Sequence, residues 1–280
     1  MSTTKLQHDC GFVIFNYDTP TMQYSVIAKK CIELLRIHCP NIPITVIGDH
    51  IESADINIPH ECPTNTHNIK GAKVWFNLAR ADVYELSPFE STIVLDSDYL
   101  VFDSNLLKLF ESGQSVLSHC DWFDCNNVES SAMPLGTSYM EMLWATVLKF
   151  DKTEEVGEMF AHWKDIIKNY RYYSVLWKLN RNMIRNDHAF TIAMKKVQNF
   201  GSVQHCHIPW DIVTCNQNMT VKQLTNNSIV LVQKVGGEWS DAISNIITMK
   251  DVRSIAIYSW LFTLFLSLAF LKKVTCSFTF

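Results

Sequence analysis

A strand, a helix and a second strand follow one another within the first fifty residues, and that order excludes most folds. Residues 11–16, GFVIFN, form a short apolar run that reads as a buried strand. Residues 21–38 carry Val26, Ile27, Ile32, Leu34 and Leu35 with charges between them, the spacing of one helix face, and CPNIP stops that helix. Residues 44–50, ITVIGDH, are a second strand ending in Gly48 and Asp49. Strands joined through a helix run parallel, so this is a βαβ unit and the start of a mostly parallel sheet.

The rest of the first half continues the alternation. Residues 51–67, with Pro59 and Pro63, read as a long loop, and residues 70–86 as a helix ended by SPFE. A strand, STIVLDSD, follows, then a short helix over 104–112 capped by Ser104, then a strand in QSVLSHCD. The second half is less regular. Residues 121–135 are polar and irregular, 138–149 and 153–169 have helical spacing, 187–197 is a helix with Asp187 or Asn186 at its start, and 228–235 is a late strand. No internal repeat is visible. The expected fold class is α/β: one domain with an open, Rossmann-like sheet flanked by helices. Ligands of such sheets bind beyond the carboxyl ends of the strands, where Asp49, Asp96, Asp98, His119 and Asp121 fall.

Composition narrows the function classes. With 280 residues, 48% hydrophobic and 19% charged, the chain is globular, and a net charge of −4 does not steer the whole molecule toward nucleic acid. Nine cysteines without a CxxC pair read as free thiols in a reducing, cytoplasmic compartment; no cysteine-built zinc site is expected. The first eighteen residues lack the apolar core of a signal peptide. Residues 255–271 carry no charge and are flanked by Lys250, Arg253, Lys272 and Lys273. This run sits at the lower edge of the ~17–25 residues that span a bilayer, so it reads either as a membrane-associated C-terminal helix or as one packed against the domain.

STIVLDSDYLVFD ends an apolar strand on Asp96 and Asp98. Alternate residues of a strand share a side, and two neighbouring carboxylates repel unless something positive lies between them. A hard divalent ion with open positions for phosphate fits, while the bland alternative is a solvated turn. Asp103 reads as turn chemistry rather than a third member.

Residues 75–110, WFNLARADVYELSPFESTIVLDSDYLVFDSNLLKLF, resemble the Asp-x-Asp region of nucleotide-sugar-dependent glycosyltransferases of the GT-A fold, of the glycogenin and galactosyltransferase type. With the βαβ unit, the resemblance reaches most of residues 9–125. It implies a metal-dependent hexosyl- or pentosyltransferase using Mn²⁺ or Mg²⁺ and a nucleoside-diphosphate sugar, with UDP the leading nucleotide. It divides the chain into a donor half, 1–125, an acceptor half, 126–250, and the hydrophobic helix, 251–280. By resemblance Asp96 and Asp98 hold the ion and diphosphate with Ser97 between them, and Asn16, Tyr17, Asp18 and Asp49 hold the nucleoside. Lys73 and Arg80, seven residues apart on one helical face, either neutralise the diphosphate or form structural ion pairs, with Asn77 between them. Asp187 contacts sugar or acceptor, or merely caps its helix; Asp121 is the other candidate for the sugar hydroxyls. The third metal ligand implied for this fold is a late histidine, and QHCHIPWD offers His205, His207 and Asp211, with His207 preferred. The usual late histidine followed by basic residues is not clear here, which leaves the sugar's stereochemical outcome open.

Residues 164–185 carry six basic residues and one acid, interleaved with Tyr170, Tyr172, Tyr173 and Trp177. They read as an amphipathic helix with a solvated face, or as a surface for an anionic acceptor. The acceptor classes are glycan, protein, lipid or hydroxymethylated DNA. Two other classes compete: a nucleotidyl or phosphoryl transferase, which would want the glycine-rich loop that NYDTPTMQ lacks, and a non-catalytic nucleotide-sugar-binding protein.

Overall fold

The computed structural model describes residues 8–18, 23–61, 78–120, 122–124, 129–130, 134–138, 140–179, 184–198, 207–210, 212–215 and 229–232. The elements are β1 His8–Asn16, α1 Tyr24–His38, β2 Ile44–Gly48, β3 Ile56–Ile58, a 3-10 turn Leu78–Asp82 running into α2 Val83–Leu86, β4 Phe89–Asp96, β5 Tyr99–Val101, α3 Leu107–Phe110, β6 Val116–His119, β7 Trp122–Asp124, β8 Glu129–Ser130, β9 Trp144–Asp151, α4 Glu154–Lys168, α5 Tyr170–Leu176, α6 Asn186–Val197, β10 Ile212–Cys215 and β11 Ile229–Val232.

The main sheet has the order β3-β2-β1-β4-β9-β6. β3, β2, β1 and β4 are mutually parallel, and β9 runs against both β4 and β6. This is the open, mostly parallel α/β sheet that the first fifty residues imply. A smaller sheet, β5-β11-β10-β7-β8, lies apart from it in pairing.

The strand period builds two apolar layers. Phe12 and Ile14 of β1, with Ile93 and Leu95 of β4, pack into one cluster with Ile27, Cys31, Ile32 and Leu35 of α1. Val13, Phe15 and Val94 point the other way, into a cluster with Phe160 and Trp163 of α4 and Phe190 of α6. There Phe150, Phe160, Trp163 and Phe190 stack in sequence, with ring centroids 4.9, 5.4 and 4.9 Å apart. α4 starts on Thr153, whose side chain accepts from the Val156 amide at 3.3 Å, with Glu154 and Glu155 against the positive helix end.

Three expectations change. Residues 138–149 are not a helix; the second half of that stretch enters β9. β9 is buried on both sides, with Ala145, Val147, Leu148 and Phe150 all in the core, so its apolar run carries no period-two signal and mimics helical spacing. Lys149, also buried, turns its amine to the Gln114 carbonyl and to Asp151, 2.6 Å away. The 51–67 loop contains β3, a three-residue edge strand paired to β2. Ser104 does not cap α3, which begins at Leu107; Asp103 instead accepts from the Asn105 amide at 2.8 Å. Of the helix expected over 70–86, the described part is the 3-10 turn and α2. No helix among the described residues is long and apolar enough to cross a membrane, and the 255–271 run lies outside them.

Gly48 ends β2 at φ +112°, and a Cβ there would stand 2.2 Å from the Asn16 carbonyl oxygen and 2.7 Å from the Tyr17 ring. Gly48→Ala is therefore expected to lower stability by about 2 kcal/mol or more, through backbone strain and overpacking together. Urea denaturation checks this, and an unchanged midpoint would contradict the packing described.

Candidate functional site

The strand order reverses between β1 and β4: the chain runs outward through β2 and β3, then returns to the far side of β1. Such a switch point opens a crevice at the carboxyl ends of the strands. The β1–β4 register pairs Phe15 with Asp96, so Asn16 and the Asp96–Asp98 turn both lie at that crevice.

Asp96 forms an ion pair with Arg80 Nη2, and both side chains are mostly buried. Arg80 comes from the 3-10 turn before α2, and its buried Nε has no hydrogen-bond partner among the described residues. One guanidinium thus faces two carboxylates. Burial pushes Asp96 up to about 8; Arg80 draws it down, while the charges of Asp98 and Asp187 add to the rise. Burial raises Asp98 to about 6, against the pull of Arg80 and of its own backbone N–H. Tyr24, the first residue of α1, is raised by burial and then by the charges of Asp98 and Asp96. Ser97 is buried between the two acids.

Asp187 joins this end of the sheet through β9. Leu95 pairs with Val147, which brings Ala145 close to the level of Asp96. The Ala145 amide donates to Asp187 Oδ1 at 3.1 Å, and the Thr191 hydroxyl, 2.7 Å from the Asp187 carbonyl, accepts from the Leu143 amide at 2.9 Å. Asp187 sits in the first turn of α6, 7% exposed, and its nearest cation, Arg185, stands at 3.7 Å. Arg185 lies over the Trp144 ring at 5.6 Å. Asp187 is thus more than a helix cap: its carboxylate fastens α6 to β9 beside the acid pair.

On the β1 side, Asn16 is fully buried; its Nδ2 donates to the Asp49 carbonyl at 3.2 Å and its Oδ1 has no hydrogen-bond partner among the described residues. The Tyr17 ring stacks on Phe15 at 6.3 Å, and its hydroxyl meets His60 Nδ1 at 2.9 Å. The Asp49 carboxylate accepts from the Asp18 amide at 2.7 Å, and the Asp18 carboxylate from the Ser25 amide at 2.8 Å, which ties the loop to the start of α1. Lys73, Asn77, Asp121, His205 and Asp211 lie outside the described residues.

His207 is placed with Cys120 and Glu141, and it forms no three-ligand group with Asp96 and Asp98 among the described residues. His119, at the end of β6, is buried and meets the Thr146 hydroxyl at 2.9 Å, to which the Tyr99 hydroxyl donates at 2.8 Å. Sequence reasoning did not single out Thr146, Glu141 or the pairing of Arg80 with Asp96; Arg80 had been marked, but nothing in a sequence says which acid it meets. Chemically, two partly buried oxygen-donor acids with one shared cation and a third acid nearby fit a hard divalent ion. The raised acids show that Arg80 alone does not offset their burial.

A carboxyl group that holds its proton longer in the folded state than in the unfolded chain makes stability fall as pH rises. For Asp96 that loss runs from its ordinary 3.8 to about 8. His188, lowered to about 4 by burial and by Arg185, acts the opposite way, but only below its ordinary 6.5. Between pH 6.5 and 8 the metal-free protein is therefore expected to lose about 1–2 kcal/mol. Asp96→Asn should flatten that slope, and Mn²⁺ should raise the melting temperature more at pH 8 than at 6.5. A flat profile with no Mn²⁺ effect would contradict this picture of the site.

No family model and no curated protein matches the chain. Solved structures do. The glycosyltransferase GlyE of Streptococcus pneumoniae is 14% identical with a TM-score of 0.40, over 72% of this chain and 46% of that one. This chain thus spans less than half the length of GlyE. A glycosyltransferase involved in glycosylation of the major capsid of PBCV-1 is 12% identical, TM-score 0.44, covering 85% and 99%. The galactosyltransferase LgtC, in complex with donor and acceptor sugar analogs, is 14% identical, TM-score 0.48, covering 85% and 94%. These three solved structures, to which this α/β chain is similar in fold, are glycosyltransferases.

Proposed function

We propose that the protein is a metal-dependent glycosyltransferase that moves a sugar from a nucleoside-diphosphate sugar, with UDP the leading nucleotide, to an acceptor hydroxyl. The observation that carries this reading is the position of Asp96 and Asp98: two partly buried carboxylates at the switch point, both raised despite the one guanidinium of Arg80.

In this reading Asp96 and Asp98 hold Mn²⁺ or Mg²⁺. Such an ion, when bound, offsets the charge that develops on a departing diphosphate. Arg80 holds Asp96 in place and adds a fixed positive charge beside the diphosphate. The buried Oδ1 of Asn16 accepts from an N–H of the base, which fills its unmet hydrogen bond. Tyr17 offers its ring to the base, and the interlocked Asp18 and Asp49 shape the nucleoside end. Ser97, Lys73 and Asn77 complete the donor side. Asp187, already oriented by the Ala145 amide, receives sugar or acceptor hydroxyls, and in an inverting reaction it takes the acceptor proton; Asp121 is a second hydroxyl partner.

Glycan, protein, lipid and hydroxymethylated DNA remain the acceptor classes. Arg171, Tyr172 and Lys178 are exposed and give an anionic acceptor a surface, whereas Lys164 is taken up by Asp82 and Glu85 at 3.0 and 2.7 Å. Membrane association through residues 255–271 of a cytoplasmic protein belongs to the same proposal, and fractionation with and without those residues separates the anchor from the packed helix.

Incubation with a panel of UDP- and GDP-sugars and Mn²⁺ should release nucleoside diphosphate with at least one donor. Asp98→Asn is expected to lower turnover about 100-fold or more, because the amide keeps the volume and loses the charge. No metal-dependent release with any donor, or full activity in Asp98→Asn, would overturn the proposal.

A further inference from the structure

Three chain segments far apart in sequence meet at the end of β6. Cys120 follows β6 directly, is 3% exposed, and its carbonyl accepts from the Trp144 indole at 3.1 Å. His207 is drawn to the same place by a parallel bridge with Ser118, and the next amide, Ile208, donates to the Ser118 carbonyl at 2.9 Å. Glu141 precedes β9 and is held by an antiparallel bridge with Pro134, while the Leu135 amide donates to the Met140 carbonyl at 2.7 Å. Backbone pairing therefore positions each of the three side chains.

Their donor atoms converge. Cys120 Sγ lies 3.2 Å from His207 Nδ1 and 3.9 Å from Nε2, and Nε2 lies 3.9 Å from Glu141 Oε2. Ligand atoms from all three residues fall within 4.8 Å of one another, and no other three-residue group among the described residues does so. Tetrahedral zinc, with bonds of ~2.0–2.3 Å, places neighbouring ligand atoms roughly 3.4–3.6 Å apart. With Nε2 as the histidine ligand, two separations of 3.9 Å and a third within 4.8 Å reach that range by side-chain movements of up to about 1 Å.

The chemistry selects the ion. A thiolate, an imidazole and a carboxylate suit borderline-soft Zn²⁺, whereas the all-oxygen pair Asp96 and Asp98 suits Mn²⁺ or Mg²⁺. Thiolate and carboxylate together neutralise a divalent charge, as a partly buried site requires.

We propose that Cys120, Glu141 and His207 form a zinc-type site, separate from the acid pair at β4, that clasps the 207–210 segment onto β6 and leaves the fourth position to water. It differs from the cysteine-built zinc site that the cysteine spacing offers no reason to expect, because it uses a single thiolate. It also gives His207 a role other than third ligand to the Asp96–Asp98 ion. The site does not depend on the glycosyltransferase reading.

The test uses the full chain, stripped with chelator and titrated with Co²⁺ as a spectroscopic stand-in for zinc. A thiolate-to-cobalt charge-transfer band in the near ultraviolet is expected, at one equivalent, displaced by Zn²⁺. Cys120→Ser should abolish the band. Glu141→Gln and His207→Ala should weaken Co²⁺ binding about 10-fold or more while keeping the far-ultraviolet circular dichroism of the wild type. Asp98→Asn should keep the band unchanged. If Cys120→Ser does not fold, the Glu141→Gln and His207→Ala titrations decide alone. Absence of the band in the wild type, its survival in Cys120→Ser, or unchanged affinity in both other variants would overturn the proposal and leave Cys120 and His207 a hydrogen-bonded pair.

Discussion

The parallel register of β1 against β4 decides where every polar group of the candidate site stands. Phe15 opposite Asp96 brings the last residue of one strand to the acid turn of the other, at the place where strand order reverses. A slip of one residue would send Asp96 to the opposite face, because side chains alternate along a strand. That register is held by apolar side chains on both faces: Phe12 and Ile14 against α1, Val13 and Phe15 against the aromatic stack of α4 and α6. The core therefore does more than stabilise; it brings partly buried carboxylates to a defined edge, where desolvation raises their proton affinity and favours a nearby positive charge.

Much of this was legible in the sequence. The βαβ unit, the acid turn after STIVL and the helix that opens on Asp187 depend on local periodicity, and local periodicity is written in the chain. β9 was not legible, because Ala145, Val147, Leu148 and Phe150 are covered on both faces and no alternation survives. β3 was missed because three half-exposed residues just before Pro59 carry too little pattern. Partnerships were the least legible. Arg80 could have met solvent or phosphate as easily as Asp96, and Cys120, Glu141 and His207 are brought together only by two isolated bridges and a bulged edge between β6 and β9. Tertiary pairing between short segments leaves no mark on spacing.

The molecule thus gathers two donor sets of different chemistry. One, at β4, is all oxygen and shares a guanidinium; the other, at β6, mixes sulfur, nitrogen and oxygen. β9 links them: its start is tied to Asp187 on one side and, through Trp144, to the Cys120 carbonyl on the other. Thr146, the next residue, accepts from the Tyr99 hydroxyl and meets His119, so the strand that was hardest to read is the one that spaces the two sets.

The central claim is that Asp96 and Asp98 hold a divalent ion against a diphosphate. The most direct measurement is electron spin resonance of Mn²⁺ bound to the full chain in the presence of UDP, with detection of phosphorus coupling to the metal. The account expects ³¹P coupling in the wild type and its loss in Asp98→Asn. Phosphorus coupling that persists undiminished in Asp98→Asn, or Mn²⁺ bound with no coupling to phosphorus at all, would contradict it.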